Sequence, residues 1–268
     1  MAKYNSLGVE SPLKEYEHNV LGVYNWRKLG HLADYFELIY NISKNGDNQS
    51  ILEFGVHKGS SLVASAAFAR SINFSPTIFG YDSWEGFPKS SIEPLDEEQG
   101  WKRFKDFNLQ DRDFFKARER FLQYTAVNKN LSISELSGRN ISSSGDFSKT
   151  SKFLVNEKLS LLSLQDTVTL KQGDFSKEDF IMNNLPQKPI TLVLIDADLY
   201  KSYIAIFKSL WNVVAPGCIF YLDEYFSFKF PGARLATDDF LSGLSPSSYE
   251  LRKVSNTGDF ERYILVKK

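Results

Sequence analysis

Ser50-Ile-Leu-Glu-Phe-Gly-Val56, running on into His57-Lys-Gly-Ser-Ser61, decides how the chain reads. The first part is apolar and too short for a helix, so it reads as a strand. Gly55 and Gly59 break it, and Leu62 to Arg70 continues in small residues as a helix. The same alternation of strand and helix recurs downstream. Thr77 to Tyr81 is a second strand, meeting Asp82-Ser-Trp-Glu-Gly-Phe-Pro88. A helix from Lys152 to Leu162 precedes a third strand, Thr167 to Lys171, which ends in Gly173-Asp174-Phe175. Ile190 to Ile195 is apolar on both faces, as a central parallel strand is, and ends in Asp196-Ala-Asp198. After a helix from Tyr200 to Val214, stopped at Pro216-Gly217, a fifth strand, Cys218 to Leu222, ends in Asp223-Glu224. Upstream, Trp26, Leu29, Ala33, Phe36 and Tyr40 recur at three and four, predicting an amphipathic helix from Tyr24 to Ile42. It can pack on its own domain or on a second subunit. Near the end, strands at Tyr249–Val254 and Arg262–Val266 flank a hairpin turn at Asn256-Thr-Gly-Asp259. Five β-then-α units and a closing hairpin predict an α/β, Rossmann-like sheet, mostly parallel with a C-terminal antiparallel hairpin strand.

The length of 268 residues suits a single domain, residues 1–268, with an N-terminal helical segment (1–46) and a lid insertion (89–150). Lys89 to Thr150 is polar, charged and aromatic, with a helix expected around Asp111 to Tyr124. Ser137 to Thr150, rich in Ser and Gly, reads as a lid or mobile loop, with a disordered spacer over 138–149 as the competing reading. A hydrophobic share of 42% and an aromatic share of 15% allow a sizeable core. Lys and Arg number 32 against 33 Asp and Glu, a net charge of −1, so no basic excess points to nucleic acid or to an anionic membrane surface. Cys218 is the one cysteine, which excludes an intrachain disulfide and a cysteine-based zinc site. The opening MAKYNSLGVE has no apolar signal core, and no apolar run approaches the roughly 18 residues of a membrane span. A cytoplasmic protein is expected.

Ligands in open α/β sheets bind outside the carboxyl ends of the strands. Here the strands end in acids: Glu53, Asp82, Asp174, Asp196 with Asp198, and Asp223 with Glu224. Gly55 and Gly59 free the backbone to pass close to a ligand, though a plain strand-to-helix glycine turn reads the same way. Their spacing is G-x-x-x-G, not the G-x-G-x-x-G of dinucleotide enzymes. A carboxylate at Asp82 can accept the two hydroxyls of a ribose, with Trp84 or Phe87 against the base; it can equally be a helix cap. Asp174 and Phe175 can read and cover an adenine, or Asp174 can cap the helix at Lys177. Asp196 and Asp198, two apart at a strand end, point to one side. With Asp223 and Glu224 they form a hard oxygen site suited to Mg²⁺, Mn²⁺ or Ca²⁺. Pairing with Lys201, Arg234 or Lys229 is the alternative.

Glu53–Ser61, Tyr81–Pro88, Gly173–Phe175, Ile195–Ser202 and Leu222–Tyr225 together resemble the class I S-adenosylmethionine (SAM)-dependent methyltransferases. Within them the chain is similar to the macrocin O-methyltransferase family, which methylates sugar hydroxyls in natural products. Ile195-Asp-Ala-Asp-Leu-Tyr200, Asp223-Glu-Tyr225 and Arg234-Leu-Ala-Thr-Asp-Asp-Phe240 carry that likeness. It implies SAM contacts at Glu53, Gly55, Gly59, Ser60, Asp82 and Asp174, with Ser61, Ser83, Trp84 and Phe175 beside them. It implies a divalent metal such as Mg²⁺ at Asp196, Asp223 and Glu224, and a general base at Asp198. The chain departs from that pattern at Glu224, where a second aspartate is usual, at Lys201, where an acid is usual, and throughout Lys89–Thr150. The expected partner is a small-molecule acceptor, a sugar hydroxyl by this resemblance, with homo-oligomers possible and neither nucleic acid nor membrane involved. Two other readings stand beside this one: a metal-independent small-molecule methyltransferase, and a non-catalytic SAM-binding protein.

Overall fold

The computed structural model describes residues 18, 20–26, 32–89, 91–107, 112–254 and 262–268. A seven-stranded sheet runs through its centre in the order β3-β2-β1-β4-β5-β7-β6. The strands are β1 (Ser50–Phe54), β2 (Thr77–Asp82), β3 (Val168–Gln172), β4 (Ile190–Ile195), β5 (Ile219–Leu222), β6 (Tyr249–Lys253) and β7 (Tyr263–Lys267). β1 to β5 pair in parallel, and β7 enters antiparallel between β5 and β6. The sheet is therefore the mostly parallel one expected from the alternation of apolar runs, and each strand lies within two residues of its expected limits. The hairpin turn expected at Asn256–Asp259 lies outside the described residues.

Among the described residues the α-helices are α1 (Ala33–Ser43), α2 (Ser60–Ser71), α3 (Glu98–Phe107), α4 (Arg112–Lys129), α5 (Lys152–Leu161), α6 (Glu178–Met182), α7 (Tyr200–Leu210) and α8 (Gly232–Ser242). Alternating side chains of each central strand feed opposite faces. Ile51, Leu192 and Leu194 pack with α1, α2 and α5; Leu52, Phe54, Val193 and Ile195 pack with α6, α7 and α8. Helix α2 is buried from Ser61 through Ala69. Ala64, Ala66 and Ala67 are small enough to let it sit between the sheet and its neighbours. The N-terminal helix turns its apolar face to this same chain: Tyr35 lies 5.4 Å from the Tyr221 ring, and Phe36 lies 5.5 Å from Phe68. The helix starts later than the expected Tyr24: Tyr24 to Trp26 and Leu32 are not helical, Tyr24 N donating instead to Ser60 O at 3.1 Å, and residues 27–31 lie outside the described residues.

The insertion adds two helices, of which α4 was expected and α3 was not. It docks on the sheet's rim through Ile141, Leu199 and Phe230, with Phe87, Phe121 and Phe147 packed around them. A hook strengthens the attachment: Asp96 accepts from Tyr200 N at 2.6 Å and from Glu93 N at 2.8 Å. The insertion thereby caps α7, whose own N-cap residue, Leu199, offers no side-chain acceptor. Residues 137–150 form hydrogen-bonded turns, with Ile141 N donating to Ser137 O and Gly145 N to Ser142 O. Thr150 Oγ1 donates to His57 O at 2.6 Å. This stretch is thus a wall fastened to the sheet rather than a spacer. Among the described residues no helix is long and apolar enough to cross a membrane.

Candidate active site

Hydrogen bonds continue past the strand ends and hold the acids in one row. Gly55 N donates to Tyr81 O, Asp196 N to Phe54 O, Asp223 N to Ile195 O, and Gly173 N to Asp82 O. The order reverses between β1 and β4, where a crevice opens in folds of this kind. The glycines serve this closeness more than they serve a ligand. A Cβ on Gly55, whose φ is +95°, would stand 1.7 Å from Asp196 O. A Cβ on Gly59 (φ +77°) would meet Val155 of α5 at 3.0 Å.

Above the row lies a cleft of about 250 Å³. On the β1–β2 side it is lined by Gly55, Ser60, Ser61, Asp82 and Ser83, and further along by Asp174 and Phe175. Asp82 accepts from His57 N at 2.7 Å and from Trp84 N at 2.6 Å. Burial raises its pKa, and those backbone N–H groups oppose the rise. Asp174 braces its own turn, accepting from Ser176 N and Ser176 Oγ. Glu53 lies just beneath the cleft, 1% exposed. Ser61 Oγ donates to Glu53 Oε1 at 2.5 Å, while Glu53 Oε2 is buried without a partner. Burial first, then Asp196, holds the Glu53 carboxyl well above the usual carboxylate range. His57 lines the cleft with its Nε2 also buried and unpartnered. Burial, with Lys58 and Lys158 nearby, pulls its pKa down to about 4, so the ring is neutral at pH 7.

Of the ten residues expected at a cofactor, Gly59, Glu53 and Trp84 do not line the cleft. Trp84, in a left-handed conformation (φ +52°), turns its indole back so that Nε1 donates to His57 O at 3.1 Å. Phe87, its alternative, does line the cleft, its ring tilted against Phe147 of the insertion at 5.1 Å.

On the β4–β5 side stand four acids. One oxygen each from Asp196, Asp223 and Glu224 lies within 4.8 Å of the others. Asp198 is buried beside them with φ +57°. Glu224 Oε2 accepts from Tyr203 OH at 2.7 Å and from Asp198 N at 3.4 Å. Burial and the mutual repulsion of these groups raise the pKa of Asp198 and Glu224 strongly, and that of Asp196 to about 7. Two cations temper the repulsion. Arg262 Nε lies 2.6 Å from Asp223 Oδ1, a pair only 4% and 12% exposed. Lys229, on the cleft wall, acts on Asp196 and Asp198. Of the three neutralisers considered from sequence, Arg234 pairs instead with Asp238, at 3.1 Å. Arg262 was missed, although the register contains it: β5 and β7 pair Leu222 with Tyr263, which sets Arg262 opposite Asp223. Tyr24, from the N-terminal segment, was missed too. It lines the cleft, and burial followed by Asp196 and Asp223 raises its pKa. The whole rim favours a cationic guest.

The model of a family described as a methyltransferase domain matches residues 52–225, about two thirds of the chain. No curated protein sequence matches significantly. Among solved structures, the calicheamicin methyltransferase CalS11 is similar with a TM-score of 0.59 at 18% identity, covering 99% of this chain and 89% of that one. The O-methyltransferase NovP gives a TM-score of 0.58 at 16% identity, covering 88% and 78%. The O-methyltransferase from Bacillus cereus, solved with SAH, gives 0.52 at 14% identity, covering 99% and 96%. At these identities the likeness is one of fold. The family match spans β1 through the acids after β5, and on that ground the chain belongs to the methyltransferase-domain family.

Proposed function

We propose that the chain is a SAM-dependent O-methyltransferase acting on a hydroxyl of a sugar or glycosylated natural product, with a divalent cation at Asp196, Asp223 and Glu224 and Asp198 as general base. The observation that carries this reading is the packing of three carboxylates within 4.8 Å of one another, with Asp198 alongside, in a cleft lined by Asp82 and Asp174. SAM suits the cleft in charge: its sulfonium and ammonium groups meet an acidic rim, and the unpartnered Glu53 Oε2 and His57 Nε2 supply buried polar atoms for it. Ser60, Ser61, Ser83, Gly55 and Phe175 complete the cofactor side, with Phe87 in place of Trp84 as the aromatic wall. Gly59 supports this side from beneath. The residues also suit a metal. Ionised, the three ligands carry three negative charges and Arg262 returns one, leaving the charge that one divalent ion balances. When bound, such an ion makes a coordinated oxygen easier to ionise; bound water falls from pKa 15.7 to about 7 in favourable cases.

Asp198, buried beside the three ligands, takes the hydroxyl proton. The acceptor oxygen bonds to the methyl carbon as the carbon–sulfur bond breaks, its electron pair passing to sulfur to leave S-adenosylhomocysteine (SAH). The sheet's part is alignment. The acceptor class rests on the resemblance carried by Ile195–Tyr200, Asp223–Tyr225 and Arg234–Phe240. Turnover of a sugar-hydroxyl acceptor that is lost in EDTA and restored by Mg²⁺ is the expected result. Activity indifferent to EDTA would instead favour a metal-independent enzyme.

A further inference from the structure

The insertion borders a second, half-open cavity of about 680 Å³, with Trp101, Leu122, Ile133, Leu136 and Ile141 on its wall. That volume lies in the range of small-molecule sites, roughly 300–1,000 Å³. Lys229 lines both this cavity and the cleft over the acids, so its side chain stands between the two. Arg118 of α4 lines the second cavity as well. Its guanidinium carbon lies 3.6 Å from the centre of the Trp101 ring, and its Nε donates to Phe228 O at 3.2 Å. Phe228 belongs to the turn that carries Lys229, a turn held by Ser227 Oγ accepting from Lys229 N and Phe230 N. Two cations therefore converge on one turn.

Among the described residues neither cation has a carboxylate within ion-pair distance. The acids of the cavity wall are mostly committed elsewhere. Asp96 is turned to the backbone of Glu93 and Tyr200, and Glu98 pairs with Lys102 at 2.9 Å. Glu97 is exposed at the rim. Lys229 answers to Asp196 and Asp198 across the cleft wall, whereas a half-buried guanidinium on a buried indole is costly without a counter-charge of its own.

We propose that this cavity binds an anionic group of the acceptor, phosphoryl or carboxylate, through Arg118 and Lys229, while the acceptor's hydroxyl reaches Asp198 past Lys229. The proposal rests on the methyltransferase reading of the first cleft. It narrows the substrate to a hydroxylated molecule that carries negative charge remote from the methylated oxygen, such as a sugar phosphate ester or a uronic acid. The apolar wall holds the body of that molecule.

Calorimetric titration of the full chain, in buffer free of divalent ions, with inorganic pyrophosphate and separately with D-glucuronate tests it. At least one anion should bind the wild type. Arg118→Met should weaken that binding by at least about tenfold, Arg118→Lys should retain most of it, and rising salt should weaken it. Preference for pyrophosphate identifies a phosphoryl group, and preference for glucuronate a carboxylate. If neither anion binds, or Arg118→Met binds as the wild type does, the proposal is overturned. A parallel titration with SAH separates the two readings. SAH binding with anion binding indifferent to Arg118 removes this subsite alone, whereas failure of SAH to bind removes the methyltransferase reading beneath it. Should Arg118→Met not fold, Lys229→Met carries the same test.

Discussion

Replacing Arg262 by Met removes the guanidinium from Asp223 and leaves a side chain of similar length. The size of the effect depends on which class of ion pair this is. Exposed pairs contribute about 0–1 kcal/mol. Breaking a buried pair by deleting one partner costs about 3–5 kcal/mol, because a charge is stranded away from water. With side chains 4% and 12% exposed and 2.6 Å apart, Arg262 and Asp223 fall in the second class. Repulsion from Asp196 and Glu224, which Arg262 otherwise offsets, adds in the same direction. At roughly 2–4 °C per kcal/mol for chains of about this size, the variant should melt on the order of 10 °C below the wild type in metal-free buffer. Differential scanning calorimetry measures this directly. Added Mg²⁺ should narrow the gap by supplying the missing positive charge. The double variant Arg262→Met/Asp223→Asn should recover much of the loss, since it strands no charge. A single variant melting within about 2 °C of the wild type would show that Asp223 does not depend on Arg262, and the charge balance drawn above would be wrong.

Asp198→Asn should lower turnover by about 10²–10⁴-fold while SAH binding, followed calorimetrically, stays intact; near-normal turnover removes Asp198 as base. Gly55→Ala places a methyl group 1.7 Å from Asp196 O at φ +95°, so it should abolish soluble folded protein or cost more than about 4 kcal/mol in urea unfolding. Burial holds the folded pKa of His57 at about 4 against 6.5 unfolded. The unfolded chain thus takes up a proton first as pH falls, and stability should decline between about pH 6.5 and 4. His57→Gln should flatten that limb of the stability curve, and an unchanged curve would mean that the ring is freely solvated. Asp196→Asn should abolish any Mg²⁺-induced rise in melting temperature, and a rise that persists would place the ion elsewhere.

The parallel core is readable because β4 is apolar at five of its six positions and β1 carries Ile51, Leu52 and Phe54 among its five buried residues. Acids in a row at strand ends were readable for the same reason, since the chain can keep charge only where the sheet stops. Helix α3 was not readable: Gly100 interrupts it, and that glycine is required by contact with Leu95 O, a tertiary demand invisible in the local pattern. Gly55 was noticed, but for a reason that differs from its closest neighbour, which is the backbone of Asp196. Trp84 was placed by proximity to Asp82, whereas a positive φ sends its ring the other way. Arg262 stands 39 residues from Asp223, and only strand register brings the two together.

That β7 slots between β5 and β6 also sets the order in which the molecule can be completed during synthesis. A nascent chain that has emerged only through β6 has a strand with no neighbour, since β6 pairs with β7 alone. It also has an open β5 edge, and a nest of acids whose guanidinium has yet to leave the ribosome. Unpaired edges attract other chains. Translation that stops short of Arg262 should therefore yield material for chaperones and proteases rather than a weakened enzyme.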